Sequence, residues 1–392
     1  MIFNSSTHAP YAQKTPLNFF AIIWALFMFL SPLYIFSKGM PQPADYLIAG
    51  FGFPLLIITW LKHKGSVSLV FLFGSLFALL TIFVNLINFY FASDQKLLKH
   101  SMYYIYNFCV FMFIVVIYKQ NPQRVNQLTY YALAAAIIFE FIYAPLFGPV
   151  EVLRNLGTFN NPNQLAYWSL LSMVMLIIVK REKKFSLFDA VLFGMCVFLQ
   201  SISLSKAGMI LAVMVLILIL FLPNLSKQGR LFLTLSIFIF TLFQLFEPSA
   251  FLKRIEKVEQ IAIITMRLEN IGQEEDDTAK GRGYTRLLEH PHYLLFGAGE
   301  GAYFRFGRGS QEIHSGIATI IFSYGIIGAT FFCLFLYHIF KKLPAQYWVL
   351  MGIVLMYSLT HQGMRFTYFW VFLAICYVHV FYFKDYIKAR TN

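Results

Sequence analysis

Gly281-Arg282-Gly283-Tyr284-Thr285-Arg286, then His290-Pro291-His292, Gly297-Ala298-Gly299-Glu300-Gly301 and Glu312-Ile313-His314-Ser315 form the second half of the one long polar interval in this chain, residues 247 to 315. On both sides of it the sequence is one apolar segment after another. The interval therefore divides the chain. Arginines, glycines and a histidine gathered where an apolar chain leaves a bilayer also suit an anionic ligand, so chemistry is expected there.

Composition supports the apolar reading. The 392 residues are 59% hydrophobic, 19% aromatic and only 12% charged, with a mean hydropathy of +0.65. Soluble domains carry about a quarter charged residues, so this is the composition of a polytopic membrane protein. The formal net charge of +13 does not point to nucleic acid. Its basic residues lie scattered between apolar segments, where membrane topology and anionic lipid account for them. Cys109, Cys196, Cys333 and Cys376 each stand alone in an apolar run, which offers neither a disulfide framework nor a zinc spacing.

A membrane-crossing helix needs about 20 mostly apolar residues. About twelve such segments are read, near 17–36, 45–61, 67–92, 101–119, 127–148, 164–180, 186–204, 207–222, 231–247, 315–338, 345–360 and 367–383. The first follows a polar start and has no small-residue cleavage site after it, so it is expected to stay as an anchor. Placing the N-terminus inside puts 16 of the 31 lysines and arginines in cytoplasmic segments and 6 in short outer loops, with 9 in the long interval. Cytoplasmic loops carry the basic excess. Both termini are therefore expected inside and the polar interval outside. The domain reading is residues 1–247 with nine spans, 248–314 as the long outer loop, and 315–392 with three spans and a cytoplasmic tail.

Three short pieces interrupt the apolar segments on the same outer side. Arg154 is followed by Asn160-Asn161-Pro162-Asn163, which reads as a turn and a capped helix start; Arg154 and Asn163 make a phosphate contact there an alternative. Lys206, in Ser205-Lys206-Ala207-Gly208, either snorkels to the interface or points into a cavity toward an anion. Thr360-His361-Gln362-Gly363-Met364-Arg365 reads as a solvated turn. Residues 251 to 268 carry apolar positions at helical spacing, an amphipathic helix over the membrane surface. Glu274-Glu275-Asp276-Asp277 reads as a solvated acidic run without the ligand spacing of a metal site.

If Arg282 to His290 is helical up to Pro291, Arg282 and Arg286 share one face. Like charges at that spacing repel unless an anion lies between them, and two guanidinium forks suit pyrophosphate. His314 stands before a long apolar run, as a helix cap or as a general base. Glu312 is a candidate to orient it. Glu140 lies inside an apolar segment, where an ionisable group is costly and by default functional; Lys206 or an arginine is its expected partner.

Gly157-Thr158-Phe159-Asn160-Asn161-Pro162-Asn163-Gln164-Leu165-Ala166, Ser205-Lys206-Ala207-Gly208, the loop motifs quoted above, and His314-Ser315 before Tyr324-Gly325-Ile326-Ile327-Gly328 together resemble the O-antigen ligase and O-antigen polymerase superfamily. The resemblance covers about residues 150 to 330. It implies an all-α membrane-embedded glycosyltransferase of the C type (GT-C), metal-independent and without a cofactor. It places such a protein in the bacterial cytoplasmic (inner) membrane, with its active site facing the periplasm. The donor it implies is a glycan on undecaprenyl pyrophosphate, the acceptor a second lipid-linked glycan, and a chain-length regulator is the protein partner. His314 would match the catalytic base, Arg282 or Arg286 the loop arginine on pyrophosphate, and Lys206 the basic residue of a Ser-Arg motif, where this chain departs from the commoner arginine. The loop motifs look more like a polysaccharide polymerase than a ligase acting on lipid A core. A lipid-linked oligosaccharide flippase is the rival from another class. Such folds show matching halves, whereas here the long loop has no counterpart in the first half.

Overall fold

The computed structural model describes residues 19–37, 39–62, 68–151, 154–181, 183–222, 225–235, 278–307 and 311–380. The amphipathic stretch 251–268, the acidic run at 274–277 and most of the apolar segment 231–247 lie outside the described residues.

The chain is a helical bundle. Among the described residues its helices are α1 (Phe19–Leu30), α2 (Pro43–Leu47), α3 (Phe53–Lys62), α4 (Leu69–Ala92), α5 (Gln95–Gln120), α6 (Pro122–Phe147), α7 (Pro162–Val179), α8 (Leu187–Ile202), α9 (Lys206–Leu220), the short α10 (Arg286–Glu289), α11 (Gly316–Phe340), α12 (Ala345–Thr360) and α13 (Thr367–Val378). Among the described residues, α4, α5, α6, α7 and α11 are long and apolar enough to cross a membrane. Six further apolar helices are shorter, at 10–17 residues. The reasons are local: α1 stops at Ser31-Pro32, because proline disfavours helix in the residue before it, and a π turn at Ile48–Gly52 interrupts the second segment.

Burial ranks the helices. The span window of α7 is 89% buried, and every residue of α13 from Tyr368 to Val378 is buried. A helix apolar and covered on all sides is a bundle centre. Around this pair α11 packs on α4, α13 on α5 and α7, α1 on α6, and α12 on α9. Rings fill the middle: Phe77, Tyr104, Tyr324 and Phe332 meet edge-on or tilted with centroids 4.9–5.9 Å apart.

The polar segments sort to the two ends of the bundle. At one end Lys180 pairs with Asp189 at 3.0 Å, Tyr130 donates to the same carboxylate at 2.7 Å, and Ser186 with Asp189 forms a capping box that starts α8. At the other end lie the loops after α1, α6, α8 and α12, together with the described part of the long loop.

Two glycines shape the loop end. Gly325, inside α11, has φ 68° and ψ −178°, a combination essentially reserved for glycine. It breaks the helix and frees carbonyls that the loop then satisfies. Ala298 N–H donates to Phe322 O at 3.0 Å and Gly299 N–H to Ser323 O at 2.9 Å, while Ile326 N–H reaches back to Leu294 O at 2.7 Å. Gly283, with φ +76°, turns the backbone before α10. The helix expected from Arg282 to His290 is therefore reduced to Arg286–Glu289, because a left-handed residue cannot continue a right-handed helix.

Candidate functional site

The loop end is organised around the C-terminus of α12. A helix ends with unsatisfied carbonyls, and here side chains from elsewhere in the chain or from the same turn supply the donors. Thr360 hydroxyl donates to Tyr357 O at 3.0 Å, Ser315 hydroxyl to Ser358 O at 3.2 Å, Tyr284 hydroxyl to Leu359 O at 2.6 Å, and Arg282 Nη1 to Thr360 O at 2.6 Å. A guanidinium at a helix C-terminus also complements the helix dipole. His314 follows from the same arrangement: its N–H donates to Arg282 O at 3.1 Å. Its residue is exposed, directly before Ser315, which caps α11 by accepting from Ala318 N–H.

The first outer piece joins this cluster. A two-residue hairpin pairs Val150–Glu151 with Arg154–Asn155, and Asn161 caps α7 with Pro162 at its first position. Arg154 Nε donates to Ser203 O at 3.0 Å and its Nη2 to Asn163 Oδ1 at 2.6 Å. Tyr357 hydroxyl donates to Asn163 O at 2.9 Å and stands 3.3 Å from the Ser205 hydroxyl. Ser205 caps α9, whose first residue is the half-buried Lys206. Arg154 and Asn163 thus stand around the outer end of Tyr357, with Ser205 at the start of α9 beside them.

His361 completes the ring of contacts. Its imidazole lies 5.6 Å from the Tyr357 ring and 5.9 Å from the Tyr167 ring, centroid to centroid. Burial, followed by the positive fields of Arg365, His314, Arg282 and Arg154, pushes it down to about 3. Of these, Arg365 is paired with Glu300 and Glu312, whereas Arg282 and Arg154 donate to the carbonyls of Thr360 and Ser203. An anion is the complement that such a concentration of positive charge favours.

Several expected members lie elsewhere. Arg286 does not share a face with Arg282. It is buried, with its guanidinium 5.0 Å from the Phe306 ring and 5.8 Å from that of Tyr303, and its Nη2 donates to Gln311 O at 2.7 Å. Burial lowers its pKa, against the opposing fields of Tyr303 and Glu289. It holds the loop together. The Glu312 carboxylate pairs with Arg365 rather than bonding the His314 ring directly. The Glu140 carboxyl, expected to meet Lys206 or an arginine, instead bonds the Thr158 hydroxyl, and the residue is fully buried. The reason is placement: Gly157 and Thr158, just after the hairpin, fold over it.

The turn at 360–365 is not a solvated one. Arg365 Nη1 pairs at 3.1 Å with Oε1 of Glu300, whose side chain is 0% exposed. That carboxylate also accepts from Tyr324 hydroxyl at 2.8 Å and Gln362 Nε2 at 3.1 Å. Glu300 N–H donates to Asn85 Oδ1 at 2.8 Å, its carbonyl lies 2.6 Å from His100 Nδ1, and Asn107 Nδ2 donates to Arg365 O at 2.8 Å. Burial works against the charge on Arg365, but Glu300 and Glu312 outweigh it and hold the guanidinium above its usual range. Sequence reasoning quoted Glu300 only as part of a glycine motif and dismissed Arg365. The available signal was that each is an ionisable residue between glycines or beside an apolar segment.

No protein-family model matches this chain, and no characterised protein is similar enough to it to be counted a relative.

Proposed function

We propose that this chain is a membrane glycosyltransferase that polymerises glycan repeat units carried on undecaprenyl pyrophosphate into a surface polysaccharide. The observation that carries the reading is the gathering of Arg154 and Arg282 around Tyr357 and His361 at one end of an apolar bundle, with Lys206 opening α9 next to Ser205 and His314 exposed in the same loop end. In this reading the short helices and the segment 231–247 complete about twelve crossings, and the loop end faces the periplasm of a bacterial inner membrane.

The chemistry follows from the charges. His314 takes the proton from an acceptor hydroxyl, and the oxygen attacks the anomeric carbon of the donor. The bond from that carbon to the pyrophosphate oxygen breaks, the configuration inverts, and undecaprenyl pyrophosphate leaves with the electron pair. Negative charge grows on the leaving group in the transition state, so cations fixed beforehand around it lower the barrier. Arg282 and Arg154 supply fork-shaped donors and Lys206 a point charge. Arg286, enclosed by aromatic rings, takes no part in holding phosphate.

The test is transfer by purified protein in detergent, supplied with lipid-linked repeat units and no sealed compartment. Activity lost in His314→Ala, with normal membrane insertion, supports the assignment; a fully active variant removes it. Transport without transfer would favour a flippase. In cells, loss of a polymerase leaves a single repeat on the lipid A core, whereas loss of a ligase leaves bare core and long lipid-linked polymer.

A further inference from the structure

We infer that Arg365 is a positioning residue for His314, acting through Glu312. The inference rests on the reading of His314 as the base, and concerns what holds it in place.

Three observations carry it. Glu312 stands two residues before His314 and is bound by Arg365 Nη2, while Nη1 of the same guanidinium is anchored on the buried Glu300. Arg365 is therefore a bridge with one foot in the bundle and one on the segment leading to His314. The anchor itself is fixed from several helices: Asn85 of α4 and His100 of α5 hold the backbone of Glu300, and Tyr324 of α11 holds its carboxylate. The other fastenings of the segment hold backbone or Ser315: Arg286 and Thr319 donate to the carbonyls of Gln311 and Ile313, and Ser315 caps α11. The Arg365–Glu312 pair is therefore the side-chain ion pair nearest His314 among the described residues. Ile313 is buried in the small apolar cluster with Ala298, Ala318 and Phe322, and the His314 N–H is tied to Arg282, but the exposed imidazole lies beyond both.

The geometry also says why arginine serves here. Two carboxylates from different parts of the chain are met by two nitrogens of one planar group, a task that a lysine ammonium, as a point charge, performs less well. Glu312 is more exposed than Glu300, with 29% of its side chain accessible against 0%. Changing Glu312 therefore alters the position of His314 while leaving the buried anchor intact.

The experiment compares Glu312→Gln, Arg365→Lys and His314→Ala in purified protein with lipid-linked repeat units. For Glu312→Gln, kcat is expected to fall about tenfold or more, with KM within about twofold and an unchanged melting temperature; Arg365→Lys should lose kcat in the same sense. The readout independent of turnover is the rate at which diethylpyrocarbonate modifies His314, followed by mass spectrometry of the peptide. That rate is expected to change at least about threefold in Glu312→Gln, while His290 and His292 react as before. An unaltered kcat in Glu312→Gln beside an inactive His314→Ala overturns the inference and leaves the base assignment standing. A fully active His314→Ala overturns the base assignment instead. Equal acceleration at all three histidines means general loosening and also overturns the inference.

Discussion

Replacing Gly325 by alanine tests the broken helix on which the loop is seated. The backbone there has φ 68° and ψ −178°, and holding any other residue in such a region costs about 1–3 kcal/mol. The added methyl would stand 2.2 Å from the Leu295 carbonyl oxygen and 2.8 Å from the Gly297 nitrogen. Both are backbone atoms and cannot swing away, so overpacking adds about 1–3 kcal/mol. The sum, about 2–6 kcal/mol, is a large part of the roughly 5–15 kcal/mol that separates folded from unfolded chains. Gly352→Ala is the control, since a methyl there meets nothing within 4 Å, and a change within about 0.5 kcal/mol is expected. A thiol-reactive fluorophore during heating in detergent provides the assay, because Cys196 and Cys376 are buried. Cys333, which is exposed, and Cys109 are first replaced by serine to remove early labelling. Gly325→Ala should label at clearly lower temperature than Gly352→Ala. Coincident curves would refute the kink, and with it the seating of residues 294–299 on α11.

Arg282→Ala and Arg286→Ala should separate: the first reduces transfer with a small change in melting. The second lowers stability by about 1–3 kcal/mol through lost ring and carbonyl contacts, and equal effects on turnover would contradict the assignment. His361 is held neutral in the fold at about 3, against about 6.5 in an unfolded chain. Its contribution is thus complete above about pH 6.5 and declines as pH falls toward 3. Melting curves of His361→Asn across that window should slope less than the parent's, and parallel slopes would exclude the burial described. Glu140→Gln should keep the Thr158 contact and the fold, whereas Glu140→Ala removes that contact, leaving the hydroxyl only Pro32 O, and costs about 1–3 kcal/mol, measurable by the same thiol assay.

Much of the architecture is legible in the sequence, since length and apolarity alone identify α4, α5, α6, α7 and α11. The Asn-Pro-Asn start of α7 and the Ser205 cap of α9 follow from local backbone chemistry. What fails is pairing across distance. Helical spacing suggested a shared face for Arg282 and Arg286, but the positive φ of Gly283 rotates one toward α12 and leaves the other among aromatic rings. Proximity along the chain suggested Glu312 for His314, yet the nearest guanidinium in space belongs to a turn between two later helices. Arg365 looked like an ordinary outer-loop residue because its buried partner Glu300 sits in a different loop. Such ion pairs have no sequence period. They are set only when the helices have packed.

The Glu300–Arg365 pair also orders events during biosynthesis. Glu300 leaves the ribosome before Arg365, so its carboxylate has no guanidinium until the chain beyond α12 has been made. A carboxylate is too costly to bury alone. Until those residues exist, the Glu300 carboxylate has only the Tyr324 hydroxyl of its two other side-chain donors, because Gln362 also lies beyond α12. A chain truncated after α12 would insert its helices and leave the loop end open.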